Sequence, residues 1–297
     1  MPEAEIDVTA DLVGELIRQQ HPDLLAELTL VANGWDNVIF RLGRTRTVRL
    51  PRRQVAADLI TKEQRWLPEL AAGLPLAIPV PERVGRPTVE FPWFWSIGPW
   101  FRGEALTTVP VADRVRYAAG IAEFFAALHI PAAADAPKNP VRGIPLAGRA
   151  ELAGQLFAML ELPDRLHELW NELLTTPEWA GPPIWVHGDP HPANILIKDG
   201  RLAAVIDFGD LCGGDPATDL AAGWLAFDRS GRQTFHDHYV AIRGHDRDLW
   251  RRARGWALSI GLSLVANSDD NQMLAAIGTH ALDQVLQDEG DSDQMRQ

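Results

Sequence analysis

The 297-residue chain contains a single cysteine, Cys212, and no apolar run of about 18 residues. One cysteine cannot form an internal disulfide, and this fits a reducing compartment. Without a long apolar run, the sequence gives no sign of a membrane-spanning helix. The first residues are acidic and lack the basic region of a signal peptide. We therefore expect a cytoplasmic protein that does not act at a membrane.

Basic residues are also scarce. The chain has 28 lysines and arginines against 40 acidic residues, for a formal net charge of −12. Proteins that bind nucleic acids or anionic membranes rely on basic patches, so this balance disfavours both kinds of partner. It would suit a cationic small molecule such as an amino sugar, although solubility alone also explains it. The chain has no internal repeats, and we expect a monomer.

The most informative stretch contains three short apolar runs separated by polar loops and an Asp-Gly turn. Runs of this length, bounded by turn residues, predict buried strands. Asp189 and Asn194 lie in the loop between the first two runs, and Asp207 directly follows the third. Loops at strand ends are common places for catalytic residues. The three runs are Ile184–Val186, Ile195–Ile197 and Leu202–Ile206.

Two carboxylates and an amide in this order suit phosphoryl transfer from a nucleotide. That chemistry needs one carboxylate to accept the proton of the acceptor hydroxyl, and further oxygen ligands to hold Mg²⁺. Each motif alone is also explained by ordinary turn chemistry, because Asp-Gly pairs and an Asn after Pro-Ala are frequent in turns. Only the series of motifs favours a catalytic interpretation.

The motifs HGDPHPAN, IDFGD and GDPATDLA occur in this order and resemble the aminoglycoside phosphotransferase family, small-molecule kinases with a protein-kinase-like fold. The resemblance spans nearly the whole chain. It implies an α+β, bilobal protein-kinase-like fold with a small β-rich N-lobe over residues 1–101 and a larger, mainly helical C-lobe over residues 102–297. It implies Asp189 as catalytic base, and Asn194 and Asp207 as Mg²⁺ ligands.

The same resemblance gives structural roles to three further residues. His187 would orient the catalytic loop, and Asp215 and Asp219 would support it. Asp219 precedes an apolar segment, so we also expect it to cap the N-terminus of a helix. We expect His191, within the loop, to be solvated.

The N-terminal part predicts three strands joined by tight turns, at Leu28–Val31, Val38–Phe40 and Val48–Leu50. The first turn is the candidate nucleotide loop, because a strand–turn–strand with a glycine can place backbone N–H groups over phosphates. A plain hairpin turn explains the same residues, and the resemblance favours the nucleotide loop. The loop residues are Asn33, Gly34, Trp35, Asp36 and Asn37.

In the family pattern the third strand offers a lysine to the phosphates, and here Arg49 stands at the matching position. Glu63, on a predicted helix over residues 54–72, would pair with Arg49; by itself it would be a surface charge. Arginine binds phosphate through a fork of donors and is not equivalent to lysine. We expect Arg52 and Arg53 to form a solvated basic turn.

The aromatic stretch after Phe91 predicts an edge strand followed by the interlobe hinge. Ile97 to Phe101 is the predicted hinge, and Trp100 or Phe101 would pack on the purine. Core packing is the alternative for these side chains. Beyond this point the periodicity predicts helices, and their segment after Ala221 would form the substrate wall. Candidate substrate residues, each also explained by structure alone, are Asp210, Trp224, Trp256 and Asn267.

The sequence thus predicts a Mg²⁺-dependent kinase that transfers the γ-phosphoryl group of ATP, or of GTP, to a hydroxyl of a small molecule. An aminoglycoside-like antibiotic and a metabolite both remain open as acceptors. One alternative is a weak or inactive kinase fold that only binds nucleotide, suggested by Arg49. Another is a metal-dependent hydrolase that uses Asp189, His191 and Asp207.

Overall fold

The computed structural model describes residues 3–34, 36–268 and 270–288, so the predicted loop residue Trp35 lies outside the described residues. The described chain forms two compact units. The first contains the residues up to Gly103 together with Ala203–Gly209, a segment far along the sequence. The second contains Glu104–Leu202 and the residues from Asp210 onward.

The first unit is built on a five-stranded antiparallel sheet with the order β1-β2-β3-β5-β4. Apolar side chains on β2 and β3, such as Phe40 and Val48, lie in the core, because successive residues of a strand face opposite sides of the sheet. The strands are β1 (Leu28–Asn33), β2 (Asn37–Leu42), β3 (Arg46–Pro51), β4 (Arg83–Gly85) and β5 (Trp95–Pro99).

Two helices complete this unit. The first, α1 (Ala10–Gln20), begins where Thr9 accepts a hydrogen bond from the backbone N–H of Leu12 at 3.2 Å. The second, α2 (Gln54–Leu70), buries Ile60, Glu63 and Leu67, which share one face because they are three or four residues apart. That spacing places Glu63 on the buried face of α2.

The second unit is mainly helical. Its long helices are amphipathic, and α3 packs on α8 while α9 packs on α10. The helices are α3 (Val115–Leu128), α4 (Ala150–Met159), α5 (Asp164–Leu174), α6 (Ala217–Leu220), α7 (Ala222–Ala226), α8 (Arg229–Arg243), α9 (Arg247–Asn267) and α10 (Gln272–Gln287).

Short strands carry the polar loops. The strand β7 pairs antiparallel with β10, so that Val186 lies opposite Cys212, and β7 ends directly before His187. A second small sheet has the order β6-β8-β9. These strands are β6 (Glu104–Ala105), β7 (Ile184–Val186), β8 (Ile195–Lys198), β9 (Arg201–Val205) and β10 (Cys212–Gly214).

The structure confirms the predicted strands around the candidate site and the predicted helix over residues 54–72, to within a few residues at their ends, and it confirms that the chain is mainly helical in its second half. The β-rich first unit and the helical second unit agree with the predicted α+β class. Within the part of the chain that the structure describes, no helix is both long and apolar enough to cross a membrane.

Candidate active site

The loop that carries Asp189 begins with a glycine that no other residue could replace easily. Gly188 has a φ of +88°, and a Cβ atom added there would lie 2.7 Å from the Cβ and from the carbonyl oxygen of Asp210. Both the backbone conformation and this close approach favour glycine. Asp210 therefore packs directly against the residue that precedes Asp189.

Asp219 holds the backbone of this loop from behind. Its fully buried carboxylate accepts hydrogen bonds from the N–H groups of His187, at 2.7 Å, and Gly188, at 2.8 Å. The Nε2 atom of His129 lies 3.2 Å from the same carboxylate. Our prediction that Asp219 caps a helix was wrong: α6 has Pro216 at its N-cap, and Asp219 lies inside it, where its side chain can reach the loop.

The carboxylate of Asp189 is oriented by two neighbours. Asn194 donates from Nδ2 to Oδ2 of Asp189 at 2.9 Å and to its carbonyl oxygen at 3.0 Å, and Nε2 of His191 lies 3.2 Å from Oδ2. Burial opposes ionisation of Asp189, but the attraction of His191, Arg142 and His187 outweighs it and lowers the pKa of Asp189. Asp189 is therefore a fixed, ionised acceptor.

His191 is buried, not solvated as we predicted. The physical reason is its contact with Asp189, which gives the imidazole a partner inside the loop. His187 is also buried, and its Nδ1 accepts from the N–H of Asp189 at 3.1 Å, so its ring fixes the backbone of Asp189.

Asp215 links the end of this region to α9. Its carboxylate accepts from Nε of Arg252 at 2.7 Å and from the N–H of Ala217 at 3.0 Å, and Asp215 and Arg252 are both almost fully buried. Burial raises the pKa of Asp215, against the opposing pull of Arg252. The carboxylate of Asp215 is buried and bound to Arg252 and Ala217, so its role is structural and it is not accessible to a substrate.

Asp207 belongs to the first unit, together with Arg49 and Glu63. It has a φ of +64°, which is rare for a residue with a side chain and is often found at functional sites. Its side chain is 53% exposed, and Oδ1 accepts from Nη2 of Arg49 at 3.1 Å. Such a carboxylate can still ligate a cation.

Arg49 joins two carboxylates. Its Nη1 donates to both oxygens of Glu63, at 2.7 and 2.8 Å, while Nη2 reaches Asp207. Burial works against the charge of Arg49, but Glu63 and Asp207 hold its pKa above the ordinary value. Burial raises the pKa of Glu63 to about 7, although Arg49 opposes this. Glu63 is thus a buried partner of Arg49 and not a surface charge.

The turn between β1 and β2 is braced by the arginines that follow β3. The N–H of Gly34 donates to the carbonyl of Asn37 at 2.9 Å. Nη1 of Arg52 donates to the carbonyl of Gly34 at 2.8 Å, and Nη2 of Arg53 donates to Asp36 at 2.7 Å. We predicted a solvated basic turn at Arg52 and Arg53. This was wrong, because both side chains fold back onto the loop.

The other loop residues flank this turn. Asn33 ends β1 and lies opposite Val38 in the β1–β2 pairing. Asn37 is buried, and with its amide oxygen turned towards Arg49 it accepts from Nη2 at 3.0 Å and Nε at 3.2 Å. The loop is thus connected through Asn37 to the pair formed by Arg49 and Glu63.

The predicted hinge residues differ in their surroundings. Ile97 is fully buried in the middle of the sheet, between Val48 and Arg83, and its carbonyl accepts from the N–H of Glu82 at 2.8 Å. Ile97 is therefore a core residue of the sheet and does not belong to the proposed nucleotide site. Trp100 and Phe101 are half-buried beyond β5, and the guanidinium of Arg41 lies 5.4 Å from the Trp100 ring centroid.

Three of the four candidate substrate residues are engaged elsewhere. Trp224 is buried, and its Nε1 donates to Asp288 at 3.0 Å. Trp256 is completely buried. Asn267 is exposed at the end of α9, where its amide donates to the carbonyl of Ser263 in the preceding turn at 2.8 Å. The predictions for Trp224 and Trp256 were wrong, because packing between helices, which the sequence pattern does not reveal, buries both rings. The prediction for the exposed Asn267 stays untested.

Only Asp210 lies beside the catalytic loop. Its Oδ1 accepts from Nδ2 of Asn139 at 2.7 Å, and its Oδ2 lies 3.6 Å from Nε of Arg142. The sequence pattern does not single out Asn139, Arg142 or Arg149, since they lie in or just after the stretch 131–145, which is rich in proline and alanine and has no motif. No local signal separates these two arginines from the other basic residues of the chain.

The donors expected for Mg²⁺ are chemically suitable. Asp207 offers an exposed carboxylate, and Asn194 offers an amide oxygen that accepts no hydrogen bond from a described residue. Hard oxygen donors of this kind fit Mg²⁺. Among the described residues, no group of three or more His, Cys, Asp or Glu side chains could hold a metal ion. The hydrolase alternative, which needs such a cluster, gains no support.

Comparison with known proteins bears on the fold and the family. The chain resembles the GDP and kanamycin complex of APH(2")-IIIa, with 20% identity, coverage of 92% of this chain and 98% of that one, and a TM-score of 0.68. It also resembles the macrolide 2'-phosphotransferase MphH from Brachybacterium faecium, with 24% identity, coverage of 91% and 98%, and a TM-score of 0.66. These likenesses establish the fold.

A shorter stretch is similar to a curated enzyme. It is 35% identical over 71 residues to a thiamine kinase of Salmonella paratyphi B, which is 24% of this chain and 26% of that protein. The matched stretch thus spans about a quarter of that relative. The sequence profile of the phosphotransferase enzyme family (APH) matches residues 27–256, which is most of the chain. The chain therefore belongs to the phosphotransferase enzyme family.

Proposed function

We propose that this protein is a kinase that transfers the γ-phosphoryl group of ATP to a hydroxyl group of a small molecule. The observation that carries the proposal is the setting of Asp189, whose carboxylate is kept ionised and is oriented by Asn194 and His191. A carboxylate that acts as a general base must be deprotonated and held within reach of the proton that it accepts. Family membership supports the same reaction.

In the proposed reaction, Asp189 accepts the proton of the acceptor hydroxyl. The hydroxyl oxygen forms a bond to the γ-phosphorus, and the bond from that phosphorus to the bridging oxygen breaks to release ADP. Asn194 and Asp207 would hold Mg²⁺, which neutralises charge on the phosphates. The turn Asn33–Asn37 and Arg49 would contact the nucleotide, and Trp100 and Phe101 would contact its base.

The described contacts also give some support to a weak or inactive nucleotide-binding protein. Arg49 is already bonded to Glu63 and to Asp207, so it uses donors that could otherwise reach phosphates. The two functions differ in turnover. A protein of the second kind would bind nucleotide without forming a phosphorylated product.

The decisive experiment incubates the purified protein with Mg²⁺, ATP or GTP, and a panel of hydroxylated compounds. The panel includes aminoglycosides, macrolides, thiamine, neutral sugars and hydroxy acids. Nucleotide consumption is measured first, and each product is then examined by mass spectrometry for an added phosphoryl group. A phosphate ester that requires Asp189 supports the kinase. Nucleotide binding without any product across the panel contradicts it.

A further inference from the structure

One buried arginine of the second unit differs from all the others. Arg149, at the end of the 3₁₀ turn Leu146–Arg149, is only 4% exposed, yet of its five N–H donors only Nε has a partner among the described residues, the Ser259 hydroxyl at 3.2 Å. Neither Nη atom is sealed from solvent. The methylene groups of the Arg149 side chain are therefore buried, while the two Nη atoms of its guanidinium are open to solvent.

The other buried arginines of this unit each donate two or three described hydrogen bonds, and these include bonds from the Nη atoms. Arg252 reaches Asp215 and the carbonyl of Pro177. Arg114 donates to three backbone carbonyls, and Arg232 binds a glutamine and a carboxylate. A buried charge without a counter-charge is costly, so proteins normally pair it. Within the described chain, Arg149 has no carboxylate within ion-pair distance.

Arg142 lies near enough to Arg149 to lower its pKa, and it is 3.6 Å from Asp210, which packs against Gly188 of the Asp189 loop. The backbone N–H groups of Val141 and Arg142 donate to Oδ1 of Asn139, at 2.9 and 3.1 Å, which fixes the loop that presents the Arg142 side chain. Nε of Arg142 is buried and has no hydrogen-bond partner among the described residues, because Asp210 is 3.6 Å away. Arg142 also lies near enough to lower the pKa of Asp189.

The local charges leave a positive excess at Arg149. Asp210 balances Arg142, with which it lies in near contact, and Asn139 satisfies its other oxygen. Burial lowers the pKa of Arg149 to about 10, and Arg142 adds to this effect while Asp210 opposes it. The guanidinium remains charged at neutral pH. Behind it, the ring of the buried Trp256, with its centroid 5.9 Å away, gives it an apolar support.

We infer that Arg142 and Arg149 form an oxyanion subsite beside Asp189, and that it binds a carboxylate or phosphate group of the hydroxyl-bearing acceptor. Open guanidinium donors on fixed elements suit the two oxygens of such a group. The inference rests on the proposed kinase function. It replaces the cationic acceptor that the acidic composition suggested, since net charge describes the whole surface and not this subsite.

The first test measures binding without turnover. Inorganic phosphate is titrated into the wild-type protein, Arg149→Met, Arg149→Lys, and Arg251→Gln, a control that removes a charge from the partly exposed surface of α9. We expect phosphate to bind the wild type and the control equally. Binding should weaken at least 10-fold in Arg149→Met and less in Arg149→Lys. Equal binding by all four proteins, or no binding, overturns the subsite.

The second test uses matched acceptors, each hydroxy acid or sugar acid being paired with its methyl ester or amide. We expect the acids to be preferred, and Arg149→Met to raise their KM at least 10-fold while the KM for ATP stays within twofold. A rise in the KM for ATP instead would assign the arginines to the nucleotide phosphates and overturn the proposal. A preference for neutral or cationic acceptors that Arg149→Met leaves unchanged would also overturn it.

If Arg149→Met does not fold, judged by circular dichroism, then Arg149→Lys and the partly exposed Arg142→Gln carry both tests. The outcomes separate this inference from the proposed function. Phosphorylation of uncharged acceptors alone would keep the kinase and remove the subsite. Absence of any product, with phosphate binding that depends on Arg149, would keep the subsite and remove the kinase.

Discussion

Asp189 and Asp207 both lie just beyond the end of a short strand, but the two regions hold their carboxylates differently. Asp189 is partly enclosed and is fixed by an amide and an imidazole, while the backbone behind it is anchored by Asp219. Asp207 is half-exposed on a left-handed backbone, and the contact described for its carboxylate is with Arg49. The first arrangement suits a base that must not move, and the second suits a ligand that can exchange partners.

The comparison extends to the charges around each residue. Around Asp189 the attractions outweigh burial and lower its pKa. In the other region burial outweighs the attraction and raises the pKa of Glu63 to about 7. One cluster therefore depends on hydrogen-bond geometry, and the other depends on a single cation, Arg49. Substitutions in the two clusters should have different consequences.

The largest effect is expected at Asp189. Replacing Asp189 with Ala removes the proposed base and should lower kcat by about 10³-fold, while nucleotide binding persists. Steady-state rates and nucleotide titration check this. Asp199→Asn is the matched control, because Asp199 lies in the exposed turn after β8 and Asn tolerates its positive φ. If Asp189→Ala kept near-full activity, the assignment of Asp189 as the base would be wrong.

Arg49→Met should be the most destabilising change in the first unit. It leaves Glu63 buried without its cation, and we expect a loss of about 3 kcal/mol in the free energy of unfolding. Arg49→Lys should lose less, since it keeps the charge. Denaturant unfolding checks both. Arg46→Met, which breaks an exposed pair with Glu82 on the same strand, should cost little.

The same variant should show a distinctive pH dependence. The folded pKa of Glu63 lies above the unfolded value of about 4.3, so its contribution is complete below that pH and is lost as the pH rises through about 7. Removing Arg49 raises the folded pKa further. The Tm deficit of Arg49→Met should therefore grow between pH 5 and pH 8. A constant deficit would show that Glu63 does not titrate there.

Asp189 should behave in the opposite sense. Its folded pKa is lowered, so its ionisation adds stability above the unfolded pKa of about 3.9 and loses it as the pH falls. The wild type should exceed Asp189→Asn in Tm at pH 5, and the difference should shrink below pH 4. Thermal unfolding at several pH values measures it. A difference that widens on acidification would contradict the lowered pKa.

The smallest effect is expected at Trp224, outside both clusters. Trp224→Phe removes the hydrogen bond to Asp288 and should cost about 1 kcal/mol of stability. The KM for every acceptor should stay within twofold, because the ring is buried among helices and not at the catalytic loop. A rise in the KM for acceptors, with the KM for ATP unchanged, would indicate that Trp224 does contribute to acceptor binding.

Glu63 and Trp224 differ in how well their surroundings could be predicted from the sequence. The family resemblance predicts that Glu63 pairs with Arg49, and the structure contains this pair. Trp224 was assigned to a substrate wall from its place in the chain alone, and the structure places it against Asp288. Arg149 carried no motif at all, and its unusual lack of partners exists only in the folded protein.

By itself the sequence determined the secondary structure around Asp189, Asn194 and Asp207, because local apolar periodicity and turn residues specify strands that end in polar loops. The family followed from a separate feature, the motifs HGDPHPAN, IDFGD and GDPATDLA and their order. Only the tertiary structure decided that Asp219 holds the loop before Asp189 from within a helix, that Arg52 and Arg53 fold onto the turn between β1 and β2, and that Arg149 is buried with open donors. The physical reason is that burial and hydrogen-bond partners depend on residues distant in the chain, whose approach no local pattern records.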